Sequence, residues 1–217
     1  MSLEIIVPDD LNEITLKQYQ KFAKVSQIEG NDESFIMQKM VEIFCGINLK
    51  NVLKIKFSSI QNVVSILTSA FEKQYSLKRT FVMDGVEYGF IPDLDEISLG
   101  EYIDLDKNFN DWENMHKTMS ILYRPIKIKK GSRYQIEEYN GTDEATKMKE
   151  MPLDVVFGAL VFFYNLEKEL LKITLNYLQK EAGENMTSLQ RRILEQNGDG
   201  ISQSMLYQRA MFLNLTK

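Results

Sequence analysis

The sequence predicts a mainly α protein of the α+β class, a helical domain carrying two β-hairpins, and three observations predict it. The stretches "LNEITLKQY" (11–19) and "LDEISLGEY" (94–102) share one grammar: an apolar residue, then Ser or Thr, then Gln or Glu three positions later. That is a capping box, in which a hydroxyl accepts from the backbone N–H at N3 while the N3 side chain reaches back. Next, "TFVMDGVEYGFIP" (80–92) sets Asp84-Gly85 between two alternating runs. A type I′ turn needs positive φ at both central residues, so this dipeptide marks a tight hairpin. Finally, Pro152 opens a stretch that stays apolar on more than one face through Tyr177. Proline suits a first helical turn, and such a pattern predicts a long, substantially buried helix.

The elements follow in order. "LEIIVP" reads as a short strand ended by Pro8. Thr15 then caps a helix over 15–27, and a second helix runs over 33–45 to Gly46. "SSIQNVVSILTSAFEK" starts another near Ser59. After the Asp84-Gly85 hairpin, Ser98 caps a long helix reaching about Tyr123, with Pro125 as terminator. "IKIKKGSRYQIEEY" (126–139) is a second hairpin turning at Lys130-Gly131. The helix from Met151 follows, then "NGDG" (197–200) as a break and a last helix from about Ser202. The chain reads as one domain, 1–217, with 1–92 and 93–217 as subregions if the two capping boxes mark related halves. Nothing between the copies matches, which argues against a solenoid and for two separately marked helix starts.

Composition bounds the function. With 217 residues and 44% hydrophobic content, the chain can bury a real core without staples. The single Cys45 forms no internal disulfide, and no basic-then-apolar leader opens "MSLEIIVPDD", so a reducing cytoplasm is the expected setting. A net charge of −5 and a pI near 5.1 argue against a general nucleic-acid or anionic-membrane binder. The longest apolar run, Val155 to Tyr164, is too short to span a bilayer.

Candidate chemistry is sparse. His116, the only histidine, lies among Trp112, Met115 and Met119, which suits a helix surface or interface. One Cys and one His cannot build the usual zinc site, and no nucleophile elbow, phosphate loop or dinucleotide fingerprint is present. "EQNGDGISQSML" imitates a calcium loop but ends in Leu206 where a bidentate Glu is required. No cofactor, metal or catalytic residue is expected.

Charge is segregated instead. Asp93, Asp95, Glu96, Glu101, Asp104, Asp106, Asp111 and Glu113, with Lys107 alone among them, precede Lys117, Arg124, Lys127, Lys129, Lys130 and Arg133. A solvated, self-complementary surface is one reading; contacts between copies, acidic face to basic hairpin, is the functional one. Magnesium at the carboxylates and nucleic acid at the hairpin are weaker, for want of a phosphate loop and of an aromatic series.

Three segments together carry a resemblance: "YGFIPDLDEISLGEYIDLD" (88–106), "WENMHKTMSILYRPI" (112–126) and "MPLDVVFGALVFFYNLEKELL" (151–171). With them the chain, from "LNEITLKQYQKF" to "NGDGISQ", resembles small proteins encoded among the structural genes of tailed bacteriophages, among them phages of Bacteroidetes and marine hosts. The resemblance implies a non-enzymatic morphogenesis protein, foremost a tail assembly chaperone in the host cytoplasm that binds the tape-measure and tail-tube proteins. Its alternative is a permanent connector or ring protein in the virion neck or tail, against the portal. A homo-oligomer is expected; a connector must form a fixed ring, and a chaperone need not. The residues expected to meet partners are Met115, His116 and Met119 on the capped helix, Phe162 and Phe163 in the apolar helix, and Lys129, Lys130 and Arg133 on the hairpin. Eleven methionines suit adaptable apolar contacts of this kind.

Overall fold

The computed structural model describes residues 5–28, 30 and 32–182. Helix α1 (Leu16–Ser26) begins at the first capping box. Thr15 Oγ1 accepts the Gln18 N–H at 3.3 Å, and Gln18 Oε1 accepts the Thr15 N–H at 2.9 Å. Gln18 has a second use: its Nε2 donates to the Ile43 carbonyl at 2.9 Å, binding the start of α1 to the end of α2 (Glu33–Phe44). A last-turn carbonyl without an intrahelical partner is thereby satisfied. Asp32 caps α2, and Gly46, at φ +65°, takes the left-handed conformation just beyond its end. The short α3 (Leu49–Val52) and long α4 (Phe57–Glu72) complete the first helical layer.

Of the strand expected before Pro8, the described residues 5–8 have no strand pairing, and Leu11–Glu13 make a 3₁₀ turn capped by Asp10.

The four strands form one antiparallel sheet in the order β1 (Thr80–Met83), β2 (Val86–Phe90), β3 (Tyr123–Lys130), β4 (Arg133–Ile136). Asp84 and Gly85, at φ +51° and +76°, make the turn between β1 and β2. β2 continues the sheet into β3 through Tyr88–Pro125, Gly89–Arg124 and Phe90–Tyr123. Pro125 is therefore inside a strand rather than the stop of a helix, and the turn between β3 and β4 falls at Gly131-Ser132, one residue later than expected. Gly89 makes room for the last strand: a Cβ there would lie 2.5 Å from the Tyr134 ring, whose hydroxyl donates to the Phe90 carbonyl at 2.8 Å.

The long helix expected from Ser98 to Tyr123 is two helices, α5 (Leu99–Asn108) and α6 (Met115–Leu122). Side chains break it locally. Asn108 turns back on the Asp104 carbonyl at 2.7 Å, and Asp111 accepts the Glu113 N–H at 2.9 Å in an Asx turn. Such bonds offer the backbone an alternative to helix.

Helix α7 (Leu153–Ala182) is the central pillar. Its start is stitched to that of α1 by two backbone hydrogen bonds, Leu16 N–H to Met151 O at 2.9 Å and Leu153 N–H to Ile14 O at 2.8 Å. Around this seam lies an aromatic cluster. The buried Tyr19 ring meets Trp112 at 4.6 Å, Phe157 at 5.5 Å and Phe71 at 5.9 Å between centroids, drawing together α1, α4, α7 and the segment before α6. One hydrophobic core runs from Leu11 to Leu160 and crosses the boundary at residue 92.

The second capping box is also formed, with Ser98 Oγ accepting the Glu101 N–H at 3.3 Å. Replacing Ser98 with alanine is expected to cost about 1 kcal/mol in urea unfolding as a lost cap, with no further effect on partner binding.

Candidate protein-interaction surfaces

The residues singled out in the sequence are placed in three different environments. Met115, His116 and Met119 are buried on the inner face of α6 and belong to the core, not to a surface of the folded chain. Gln20 explains the histidine: its Nε2 lies 3.3 Å from His116 Nδ1 and donates to the Trp112 carbonyl at 2.8 Å. Burial, then the positive charges of Lys149 and Lys117, hold the His116 imidazole below its ordinary pKa, so it sits neutral in the core. Phe162 and Phe163 are half-buried. Phe162 packs edge-to-face on Phe90 at 5.7 Å, and Phe163 on Phe109 at 5.2 Å, so α7 is fastened there to the sheet and to the end of α5.

Lys129, Lys130 and Arg133 are exposed at the outer end of the β3–β4 ribbon. Beyond Pro125, β3 pairs with β4 alone, so this end overhangs the rest of the sheet. The register puts Ile128, Lys130, Arg133 and Gln135 on one face, with Lys129 and Tyr134 on the other. Lys129 is paired with Glu87 of β2, a tie within the chain.

The acidic segment is also partly consumed internally. Glu101 is buried, accepts the Ser98 N–H and hydroxyl at 2.7 Å each, and forms an ion pair with Arg124 of β3. Burial works against ionisation of Glu101, but the bonds from Ser98 and the Arg124 guanidinium outweigh it and hold the carboxyl below the ordinary glutamate value. Asp104 accepts from the Tyr139 hydroxyl. These groups fix α5 onto the sheet.

The consequence for α5 is an inverted amphipathic helix. The buried positions are Glu101 and Asn108, with Leu105 half-buried against the core, while Leu99 is 74% exposed, Tyr102 58% and Ile103 54%. Positions i, i+3 and i+4 share a helix face, and Asp106 at i+7 extends it. Exposed Asp95 and Glu96 lie just before the cap. Buried polar groups beneath exposed large apolar ones are the reverse of what a helix facing only water shows. The pattern was present in "SLGEYIDLD", where apolar residues occupy both faces, but which face turns inward depends on Arg124, far along the chain.

A second apolar row emerges on α7. Its first turns are buried, whereas Leu170 and Ile173 are exposed, continuing the row of Phe163 and Leu166 at alternating steps of three and four. The residues of the calcium-like loop and of the last expected helix lie outside the described residues.

Comparison with the known protein families, with curated proteins and with solved structures finds no match to this chain. Among the described residues, no helix is long and apolar enough to cross a membrane, and no cluster of three metal-ligating side chains occurs.

Proposed function

We propose that this chain is a non-enzymatic protein of phage morphogenesis, a tail assembly chaperone whose client is the long, helical, apolar tape-measure protein. The phage setting is supported by the sequence resemblance; the observation that carries the holding role is the outer half of α7. There a row of Phe163, Leu166, Leu170 and Ile173 leaves the core and continues with Leu170 and Ile173 exposed. Steps of three and four are the spacing by which one helix seats its side chains between those of another. Exposed Lys168, Glu169 and Lys172 beside it keep such a surface in solution.

The purified chain is expected to hold a tape-measure fragment in the supernatant after dilution from denaturant. The double variant Leu170→Asp/Ile173→Asp is expected to lose most of that capacity with unchanged circular dichroism. Full retention by the variant would sink the assignment of the surface. Mass spectrometry of mature particles separates the chaperone from the connector: a departing chaperone is absent, whereas a connector is present in ring stoichiometry. The connector reading draws its support from the opposed charges of α5 and the β3–β4 ribbon.

A further inference from the structure

We infer that the outward face of α5 is a docking surface for the β3–β4 tip of a second copy of this chain, a head-to-tail contact. The inference rests on the two exposed surfaces alone and is independent of any role in phage assembly.

The α5 face asks for a partner on physical grounds. Leu99, Tyr102 and Ile103 form one contiguous apolar strip held outward, because Glu101 and Asp104 are committed to Arg124 and Tyr139 beneath. The helix cannot roll to bury the strip without stripping Arg124 of its carboxylate and leaving a charge poorly solvated. The strip is bounded by the exposed carboxylates Asp95 and Glu96 at one end and by the exposed Asp106 and Lys107, of opposite charge, at the other. Its occupant must therefore carry an apolar side chain with basic groups on one side of it.

The β3–β4 tip has that composition. Ile128, 62% exposed, shares its face with Lys130 and Arg133, and no carboxylate among the described residues forms an ion pair with either cation. On the opposite face Lys129 is engaged by Glu87, which stiffens the ribbon and leaves the Ile128 face available. Seating Ile128 against Leu99 and Ile103 would bring Lys130 and Arg133, cross-strand neighbours on one side of Ile128, to the Asp95–Glu96 end of the strip. The two surfaces differ, so the contact is heterologous, and repetition closes a ring or extends a filament. Four apolar side chains make a small contact, weak singly and strengthened by closure.

Sedimentation velocity of the full chain across a concentration series tests this. Association beyond the monomer is expected, and it should weaken as salt is raised to about 1 M, where the screening length falls to about 3 Å. Two variants are then made, Lys130→Glu/Arg133→Glu at the tip and Leu99→Asp/Ile103→Asp on the face, with circular dichroism to establish folding. Each alone is expected to be monomeric. Their mixture retains one intact face and one intact tip, so it should form a one-to-one dimer and nothing larger. Should the face variant not fold, Asp95→Lys/Glu96→Lys replaces it, altering only exposed charges. A chain monomeric throughout the series overturns the proposal, as does association unchanged in both variants. A mixture that stays monomeric while the parent chain associates also overturns it, since the intact face and the intact tip then do not recognise each other.

Discussion

Replacing Gly158 with alanine is expected to destabilise the protein by about 3 kcal/mol, although the same change in an open helix stabilises by about 1 kcal/mol. Gly158 lies in the buried part of α7, where the segment leading from α4 to β1 crosses it. A Cβ there would stand 2.3 Å from the Ser76 carbonyl oxygen and 2.9 Å from the carbon it belongs to. The obstacle is backbone, which no rotamer change can clear. Either α7 shifts away from the aromatic cluster, or residues near Ser76 move and disturb the neighbouring Lys78, which pairs with the buried Asp154 and accepts at its carbonyl from the Tyr123 hydroxyl at 2.8 Å. Urea unfolding checks the sign. Gly100, on α5, is the control: the nearest atom to its added Cβ is 3.8 Å away, an ordinary contact. Gly100→Ala is expected to be neutral or to stabilise by up to about 0.5 kcal/mol. Equal effects at the two sites would show that the crossing at Ser76 is not as tight as described.

Glu101→Ala is expected to cost about 3–5 kcal/mol, because it leaves the Arg124 guanidinium largely buried without its carboxylate and removes half of a capping box. The pH dependence of the parent protein carries the same signature. Glu101 binds protons less readily in the folded chain than at its ordinary value of 4.5, so the unfolded state takes up the proton first. Its contribution is fully present above that value and is lost as pH falls through it toward the lower folded value. Unfolding midpoints recorded from pH 6 down to pH 3 should therefore fall more steeply for the parent than for Glu101→Gln. Parallel curves would mean that the carboxyl is not held by Ser98 and Arg124.

The sequence announced what its local chemistry decides. Both capping boxes, the Asp84-Gly85 turn and the start of α7 are settled within four or five residues, and they formed as the spacing predicts. The broken helix after Ser98 was legible in principle, since Asn108 and Asp111 carry the side chains that compete with helix, but apolar periodicity on either side masked them. Long-range arrangement was not legible. Whether Met115, His116 and Met119 face water depends on Gln20 and on the 3₁₀ turn Ala145–Glu150 packing against α6, and whether α5 shows its apolar face depends on Arg124. The merging of both strand pairs into one sheet rests on three residue pairings between β2 and β3, separated in the chain by two helices. Alternation marks a strand; it does not name the neighbour.

The seam between Ile14–Leu16 and Met151–Leu153 also sets an order on synthesis. Chains emerge from the ribosome from the N-terminus, and a pairing between distant segments cannot form until the later one is free. Helices α1 to α4 and the whole sheet are thus translated before the partner of Ile14 exists, and Tyr19 meets Phe157 only afterwards. Native closure falls to the emergence of α7, so a nascent chain halted before Met151 presents an open core to whatever apolar surface stands nearby.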